Sequence, residues 1–286
     1  MNNDNLNRFI TEALAIEAEE AKKAGAIGFM ARALVQATLP HSKREGNEFE
    51  RKNGLFRLTI LSPTEIGLPY GSIPRLLVAW LTTEAVKTKT KEIILGHSLA
   101  KFMEQIDLTP TGGRWGTITR LRGQMKRLFS SAISCTYDDG EHWAIRNVQP
   151  VSKANLWWDP KNPDQASLFQ SVVCLGDEFF NEAINSPVPI DMRVLKLLKR
   201  SPLALDIYCW LTYRYSYLRK DTMIPWGVLQ NQFGADYAFD LQGIRNFKKA
   251  FIRELRKVYT VYPAANVEPN QHGLILLPSK SHITSS

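Results

Sequence analysis

The sequence predicts a helix-rich α+β fold in which one structural unit occurs twice in tandem, after an N-terminal helical segment. Two observations carry this prediction. An apolar helix that begins at a Ser with a nearby Pro occurs twice, and each copy is followed by the same order of shorter elements. The chain has 286 residues and is 44% hydrophobic, which is enough apolar material for two ordinary domain cores.

The N-terminal segment combines a helical pattern with a polar end. Residues 5–38 carry apolar residues at helical spacing and a charged stretch, which predicts one or two helices. Residues 41–50 are polar and predict a linker, so we assign residues 1–45 to this segment and its linker. Asn53-Gly54 then favours a tight hairpin between two strand-like runs.

The first unit begins at Ser72. Ser is a favoured N-cap, Pro74 is tolerated in the first turn, and Leu76, Leu77 and Trp80 drive a buried helix. The rest of the unit is predicted as a strand, a helix, a turn, a long helix and two paired strands, over residues 92–95, 98–106, 109–113, 115–130, 133–137 and 142–148.

The second unit repeats this order from Ser201, with Pro202 after the cap. Its apolar helix contains Cys209-Trp210-Leu211-Thr212, at nearly the same distance from the cap as Ala79-Trp80-Leu81-Thr82 in the first unit. The remaining elements are again a strand, a helix, a turn, a long helix and two paired strands, over residues 222–224, 225–233, 234–237, 240–258, 259–262 and 273–277.

This order of elements is that of a winged helix-turn-helix module, whose long helix enters a groove of duplex DNA. Finding the order twice is harder to attribute to chance than finding it once. The sequence therefore predicts two tandem winged helix-turn-helix domains, over residues 46–187 and 188–286.

The charge balance agrees with a polyanionic partner. Lys and Arg number 36 against 28 Asp and Glu, which gives a net charge of +8. No apolar run approaches the roughly 18 residues that cross a bilayer, and the N-terminus lacks the basic and then apolar order of a signal peptide. We expect a cytoplasmic protein with no membrane partner.

The residues that catalysis or metal binding would need are missing from the sequence. The three cysteines are widely spaced and lie outside any metal-ligand pattern. The five histidines are isolated, whereas the common type of nicking endonuclease pairs two of them around an apolar residue. The sequence has no phosphate loop ending in Gly-Lys-Ser or Gly-Lys-Thr. We expect a protein that is not an enzyme and that has no metal or cofactor.

The long helix of the first unit has an apolar stripe and a polar face. Glycine in an exposed helix costs about 1 kcal/mol relative to Ala, so Gly116 and Gly123 on the polar face suggest a close approach to the backbone by DNA or by a protein. The candidate DNA-contacting residues of this face are Thr119, Arg120, Gly123, Lys126 and Arg127.

The long helix of the second unit has the same organisation and a better set of side chains for reading bases. Arg and Lys can bind guanine, and Asn and Gln can pair with adenine. The candidate residues are Gln242, Arg245, Asn246, Lys249, Arg253 and Arg256. The alternative for both helices is an ordinary solvated face.

Two further groups allow more than one interpretation. Lys196, Lys199 and Arg200 precede the second unit and either hold phosphate or flank a linker. Trp157-Trp158 could stack on single-stranded bases, although aromatic pairs at a strand end are more often core or interface residues.

The sequence resembles the plasmid-encoded RepA replication initiators that carry a C-terminal RepA domain. The resemblance extends from about residue 55 to residue 283. It rests on several stretches in order: Leu68-Pro69-Tyr70-Gly71, Pro74-Arg75-Leu76-Leu77, Thr111-Gly112-Gly113, Leu156-Trp157-Trp158-Asp159-Pro160-Lys161, Leu198-Lys199-Arg200-Ser201-Pro202-Leu203-Ala204-Leu205, Trp210-Leu211-Thr212-Tyr213-Arg214, Ile224-Pro225-Trp226 and Gln232-Phe233-Gly234-Ala235-Asp236-Tyr237.

The resemblance implies an initiator that binds repeated sites in a plasmid origin and opens the adjacent duplex. It also implies recruitment of host replication proteins, such as the host initiator and the replicative helicase, and the existence of a homodimer beside the monomer. A winged-helix transcriptional repressor, acting on its own gene, is the alternative function. The fold cannot separate the two, because winged helices serve both.

Overall fold

The computed structural model of the protein describes residues 3–283. The predicted segments 1–45 and 188–286 therefore each include a few terminal residues that lie outside the described part. The helices in chain order are α1 (Asn3–Ala18), α2 (Arg32–Gln36), α3 (Ser72–Thr88), α4 (Leu99–Gln105), α5 (Thr117–Phe129), α6 (Asp177–Asn185), α7 (Met192–Leu198), α8 (Pro202–Tyr217), α9 (Trp226–Phe233) and α10 (Leu241–Val261).

The strands are short and are distributed along the whole chain. They are β1 (Ile27–Met30), β2 (Glu48–Asn53), β3 (Phe56–Leu61), β4 (Glu92–Gly96), β5 (Ala132–Asp138), β6 (Trp143–Asn147), β7 (Val151–Asn155), β8 (Ser171–Leu175), β9 (Val188–Asp191), β10 (Thr222–Pro225), β11 (Val267–Pro269) and β12 (Gly273–Leu276). The fold is thus mixed α+β and rich in helix, as the sequence predicts.

Two three-stranded antiparallel sheets repeat one arrangement. In the first, β4 pairs with β8, and β8 pairs with β7. In the second, β10 pairs with β12, and β12 pairs with β11. In both, the strand that follows the apolar helix (α3 or α8) pairs with the last strand of the unit, so element order and sheet order are duplicated together.

The hairpin predicted in the first unit is confirmed, because β5 pairs with β6, but the sheet to which it belongs was not predicted. The strands predicted over residues 133–137 and 142–148 are β5 and β6, but they extend the β2-β3 hairpin into a four-stranded sheet and do not pair with β4. In this sheet Ile133 pairs with Ile60 and Cys135 with Leu58, and these side chains are buried. The hairpin that matches β11 and β12 is β7 and β8, which sequence reasoning did not identify.

The N-terminal prediction is also only partly correct. α1 agrees with the helical spacing, but β1 interrupts the predicted helix and pairs with β9, more than 150 residues away. Gly25 adopts a left-handed φ of +63° between α1 and β1. Gly28 leaves room for Met192, whose sulfur would lie 2.3 Å from a Cβ at this position. The first part of β2 lies in the predicted linker.

The end of α10 corrects a predicted strand over residues 259–262. The helix continues to Val261 because Val258 and Val261 extend the buried stripe that Phe251 and Leu255 begin. Tyr262 is buried beyond the helix, and its hydroxyl donates to the carbonyl of Lys280. Helical packing therefore overrides the local strand propensity of this aromatic and β-branched run.

The two apolar helices start differently. The Ser201 hydroxyl accepts from the Ala204 amide at 3.2 Å, so Ser201 caps α8 as predicted. Ser72 lies inside α3, and the N-cap is Gly71 with a φ of +78°. The Gly71 carbonyl accepts from the guanidinium of Arg75 at 2.7 Å, which fixes the start of this helix.

The core is continuous across the two units. α1 packs on α7 and α10, α3 packs on α8, and β2 packs on α9. Buried side chains from each of these regions form one hydrophobic cluster. The domain boundaries at residues 45 and 187 stay a prediction.

Candidate nucleic-acid interface

The outer face of α10 presents all six residues that the sequence singled out. The inner face holds Phe247, Phe251 and Leu255 in the core. The outer residues lie within an arc of about 100° and span about 21 Å along the helix axis. Each of them is exposed: Gln242, Arg245, Asn246, Lys249, Arg253 and Arg256.

Acidic side chains do not interrupt this stripe. Glu254 is buried, and its carboxylate accepts from Arg253 Nε at 2.8 Å and from Lys257 Nζ at 2.6 Å. Burial by itself would raise the pKa of Glu254, but the hydrogen bonds from Lys257, Ser201 and Arg253 outweigh burial and lower it. The carboxylate thus stays charged beneath the surface and positions Arg253 at the edge of the outer face.

The start of α10 is fixed by a side-chain cap. Asp240 Oδ1 accepts from the Gly243 amide at 2.6 Å. In the same first turn, Gln242 Nε2 donates to Asn246 Oδ1 at 3.0 Å, which aligns the two amide groups on the outer face. The residues suited to adenine therefore lie together at the N-terminal end of the stripe.

The β11-β12 hairpin is attached to α10 by Lys248. The Lys248 ammonium donates to the carbonyl of Asn270 at 2.8 Å and lies 5.2 Å from the ring centre of Trp226. Asn270 Oδ1 in turn accepts from the amides of His272 and Gly273, both at 2.8 Å. The hairpin tip is exposed beside the helix and is held in one orientation.

α5 presents a smaller basic face in the first unit. Thr119, Gly123 and Lys126 line a shallow groove together with Arg122 and with Lys161 of the β7-β8 loop. Arg122 was missed by sequence reasoning, although it lies only about 40° around the helix from Lys126. Arg120 is exposed on the flank, about 100° from Thr119.

Gly123 has open space where a side chain would be. A Cβ at this position would have nothing within 4 Å. The internal packing therefore does not require glycine here.

Arg127 is engaged within the chain, and its contact with DNA stays a prediction. Its guanidinium donates to the carbonyl of Leu68 at 3.1 Å and lies 5.6 Å from the ring centre of Tyr70. A Cβ on Gly67 would lie 2.6 Å from the same guanidinium. The side chain thus holds the loop over residues 67–70 against α5.

The two groups that the sequence left open are only partly engaged within the fold, since Arg200 and Trp157 are exposed. Lys196 pairs with Asp107 at 2.9 Å, and Lys199 also binds the Asp107 carboxylate, which favours a structural role. The Trp158 ring stacks on Phe102 at 5.0 Å, and its indole N–H donates to the Gly96 carbonyl.

The described residues include neither a membrane-spanning helix nor a metal-ligand cluster. No helix among residues 3–283 combines the length and the apolar composition needed to cross a membrane. The same residues contain no group of three or more His, Cys, Asp and Glu side chains placed to hold a metal ion.

Comparison with known proteins adds a family and a fold. A family model described as plasmid encoded RepA protein matches residues 68–227, a span that includes α5 and ends at the start of α9. A crystal structure of selenomethionine derivatives of domains 2 and 3 of RctB is similar with a TM-score of 0.56 and 10% identity, over 88% of this chain and 99% of that chain.

A second crystal structure of RctB domains 2–3 has a TM-score of 0.50 and 10% identity, over 85% of this chain and 94% of that chain. A comparison with curated proteins gave no significant match. At 10% identity, the likeness to the solved structures concerns the fold alone.

Proposed function

The chain belongs to the family of plasmid-encoded RepA proteins, and on this premise we propose that it initiates plasmid replication by binding repeated sites in an origin. Family membership supports the role of a replication initiator. The binding of specific duplex sites is a further step, which rests on the two surfaces described above.

We propose that each unit is a winged helix-turn-helix domain, with α5 and α10 as the helices that enter the major groove. The duplicated sheet order supports this assignment, because each long helix is followed by a hairpin in the position of a wing. The wing of the first domain is then β7-β8, and the β5-β6 pair is an addition to that domain.

The observation that carries the proposal is the outer face of α10. It combines Arg245, Lys249, Arg253 and Arg256 with two aligned amide side chains, and its nearest acid is turned inward. Basic side chains bind phosphate. A bidentate contact from Arg or from a side-chain amide favours the correct base over a wrong one by about 1–3 kcal/mol. The α5 face adds Thr119, Arg120, Gly123 and Lys126 as a second, weaker reader, and Arg122 joins it.

The proposal includes the partners and the place of action. An initiator that opens a duplex recruits a host initiator and a replicative helicase, and the RepA family implies a homodimer as a second form. In this proposal the protein catalyses no reaction of its own. Since a plasmid is replicated where its DNA lies, the protein acts in the cytoplasm.

The test is binding to the DNA beside its own gene, followed by a functional assay. We expect a footprint on direct repeats and an affinity that falls about 10³-fold or more between 50 and 200 mM salt. A plasmid that carries those repeats should replicate only when the protein is supplied. Affinity that does not change with salt would reject the binding mode. Repression of transcription without replication would assign the repressor function instead.

A further inference from the structure

Two large aromatic side chains lie exposed at the same place in both units. Trp115 is 81% exposed and Phe239 is 71% exposed. Each is the residue directly before the N-cap of the long helix, which is Gly116 for α5 and Asp240 for α10. The duplication therefore repeats an exposed aromatic at one structural position.

Packing within the chain does not explain why an aromatic residue stands directly before each N-cap. An apolar residue before an N-cap often packs on the fourth residue of the helix as a hydrophobic staple. In α5 the fourth residue is Arg120, which is polar and exposed. In α10 it is Ile244, which is partly buried, yet most of the Phe239 ring stays in solvent.

The turn that carries Trp115 is rigid. The Thr111 amide donates to Thr117 Oγ1, and the Thr117 amide donates to Thr111 Oγ1, both at 2.9 Å. Gly116 packs so closely on this turn that a Cβ would lie 2.2 Å from the Thr111 carbonyl oxygen. Trp115 is thus displayed on a preorganised loop, so little conformational freedom is lost when a partner binds it.

The support beneath Phe239 is also tight. A Cβ on Gly243 would lie 1.8 Å from the carbonyl oxygen of Ala238, and the same oxygen accepts from Gln230 Nε2 at 2.7 Å. The residue before Phe239 is therefore fixed to both α9 and α10. Leu241, directly after the cap, is 77% exposed and extends the apolar tip.

A cation lies beside the Trp115 ring, and the basic stripe of α10 begins behind Phe239, which is itself followed by the acidic cap Asp240. The guanidinium of Arg114 lies 5.0 Å from the ring centre of Trp115. On the helix behind Phe239, Arg245 is exposed one turn into the basic stripe. An apolar tip with cations beside it is complementary to the floor of a DNA groove, where the base edges lie between two rows of phosphates.

We propose that Trp115 and Phe239 contact thymine methyl groups in two successive stretches of the major groove. The inference rests on the proposed function, since it assumes that both long helices enter DNA. The N-terminal residues of such helices approach the base edges, and the thymine methyl is the apolar group exposed there. The two aromatics then act as specificity residues beside the polar readers of α5 and α10.

The test replaces thymine by deoxyuracil, one position at a time, in the footprinted duplex. Deoxyuracil keeps every hydrogen bond and removes only the methyl group. We expect wild-type affinity to fall about fourfold at each contacted thymine, the effect of exposing one apolar carbon. The Trp115→Ala protein should be insensitive at one group of positions and the Phe239→Ala protein at another, about one helical turn away.

The control is Trp143→Ala, an exposed aromatic on the outer face of the four-stranded sheet, which should keep the wild-type pattern. Circular dichroism checks that each variant is folded, and the wild-type scan needs no variant at all. A wild-type protein that binds with a steep salt dependence but is insensitive to every deoxyuracil overturns this inference and leaves the proposed function intact. Absence of salt-dependent duplex binding overturns both.

Discussion

Arg75 of α3 and Asp206 of α8 form a buried ion pair in which the guanidinium donates two hydrogen bonds of 2.7 Å to the carboxylate. The pair joins the equivalent helices of the two units. The Arg75 guanidinium also donates to the carbonyls of Leu39 and Pro40, and Asp206 Oδ2 lies 2.7 Å from His41 Nε2. The connecting segment is thereby held at the junction, which fixes the two units relative to each other.

Loss of one partner of this pair is expected to be costly. Arg75→Ala leaves the Asp206 carboxylate buried without its main counter-charge, so we expect the free energy of unfolding to fall by about 3–5 kcal/mol. The double variant Arg75→Met, Asp206→Leu removes both charges and should recover most of the loss. Urea unfolding followed by circular dichroism measures both. A loss below about 1 kcal/mol for Arg75→Ala would contradict a structural role for the pair.

Stability should decrease as the pH falls below neutrality because of His41. Burial lowers the pKa of His41 below its ordinary value of 6.5, with Arg75 and Arg51 adding to the effect and Asp206 opposing it. The unfolded chain therefore binds a proton near pH 6.5 that the folded chain does not bind, and the free energy of unfolding falls below that pH. His282, whose pKa burial also lowers, contributes in the same direction.

His41→Gln separates this effect from others. Glutamine can still donate a hydrogen bond to Asp206 but does not titrate, so the loss of stability between about pH 7 and about pH 5 should be smaller than in the wild type. The pKa of Asp206 lies below its ordinary value of 3.8, because Arg75 and His41 outweigh the effect of burial, so this carboxylate stays ionised across that window. An unchanged pH dependence in the variant would show that His41 is not the titrating group.

Gly123 offers a variant in which stability and binding should change in opposite directions. A methyl group has open space at this position, so Gly123→Ala should stabilise the helix by up to about 1 kcal/mol. If DNA approaches the backbone there, the same change should weaken binding. The matched control is Gly116→Ala, which should destabilise the fold because its Cβ would meet the Thr111 carbonyl oxygen at 2.2 Å. Unchanged affinity for Gly123→Ala would remove this residue from the interface.

Lys249 lies in the middle of the α10 stripe and tests the phosphate contacts. Lys249→Ala should weaken binding to all duplexes alike and reduce the slope of log affinity against log salt by about one. Lys52→Ala, an exposed lysine on the outer face of the four-stranded sheet, removes the same charge outside the interface and should change neither quantity. Equal effects of the two variants would indicate a dependence on net charge alone.

Local patterns were sufficient to predict α3, α5, α8, α9 and most of α10, because each has an apolar stripe at helical spacing and a recognisable start. They failed where the partner of a segment is distant in sequence. Nothing near residue 27 indicates that β1 pairs with β9, and β5 and β6 could be recognised as strands but not assigned to a sheet.

In the candidate interface, too, features set by local sequence were predicted, and features set by distant partners were not. The outer residues of α10 were predicted correctly as exposed, because periodicity alone determines which face is outward. The role of Arg127 was not predictable, since its partner is a loop about 60 residues away. The exposed aromatics were overlooked because exposure of Trp115 and Phe239 is a property of the folded turn and leaves no periodic signal.

In the proposed function, the two units of one chain read two successive stretches of the major groove. The most direct measurement is a binding series on duplexes mutated base pair by base pair, with the wild type, Arg122→Ala of α5 and Arg253→Ala of α10. We expect each variant to lose discrimination at its own end of the site, at positions centred about 10 base pairs apart. Variants that change the preference at the same base pairs, or that leave affinity and salt dependence unchanged, would contradict it.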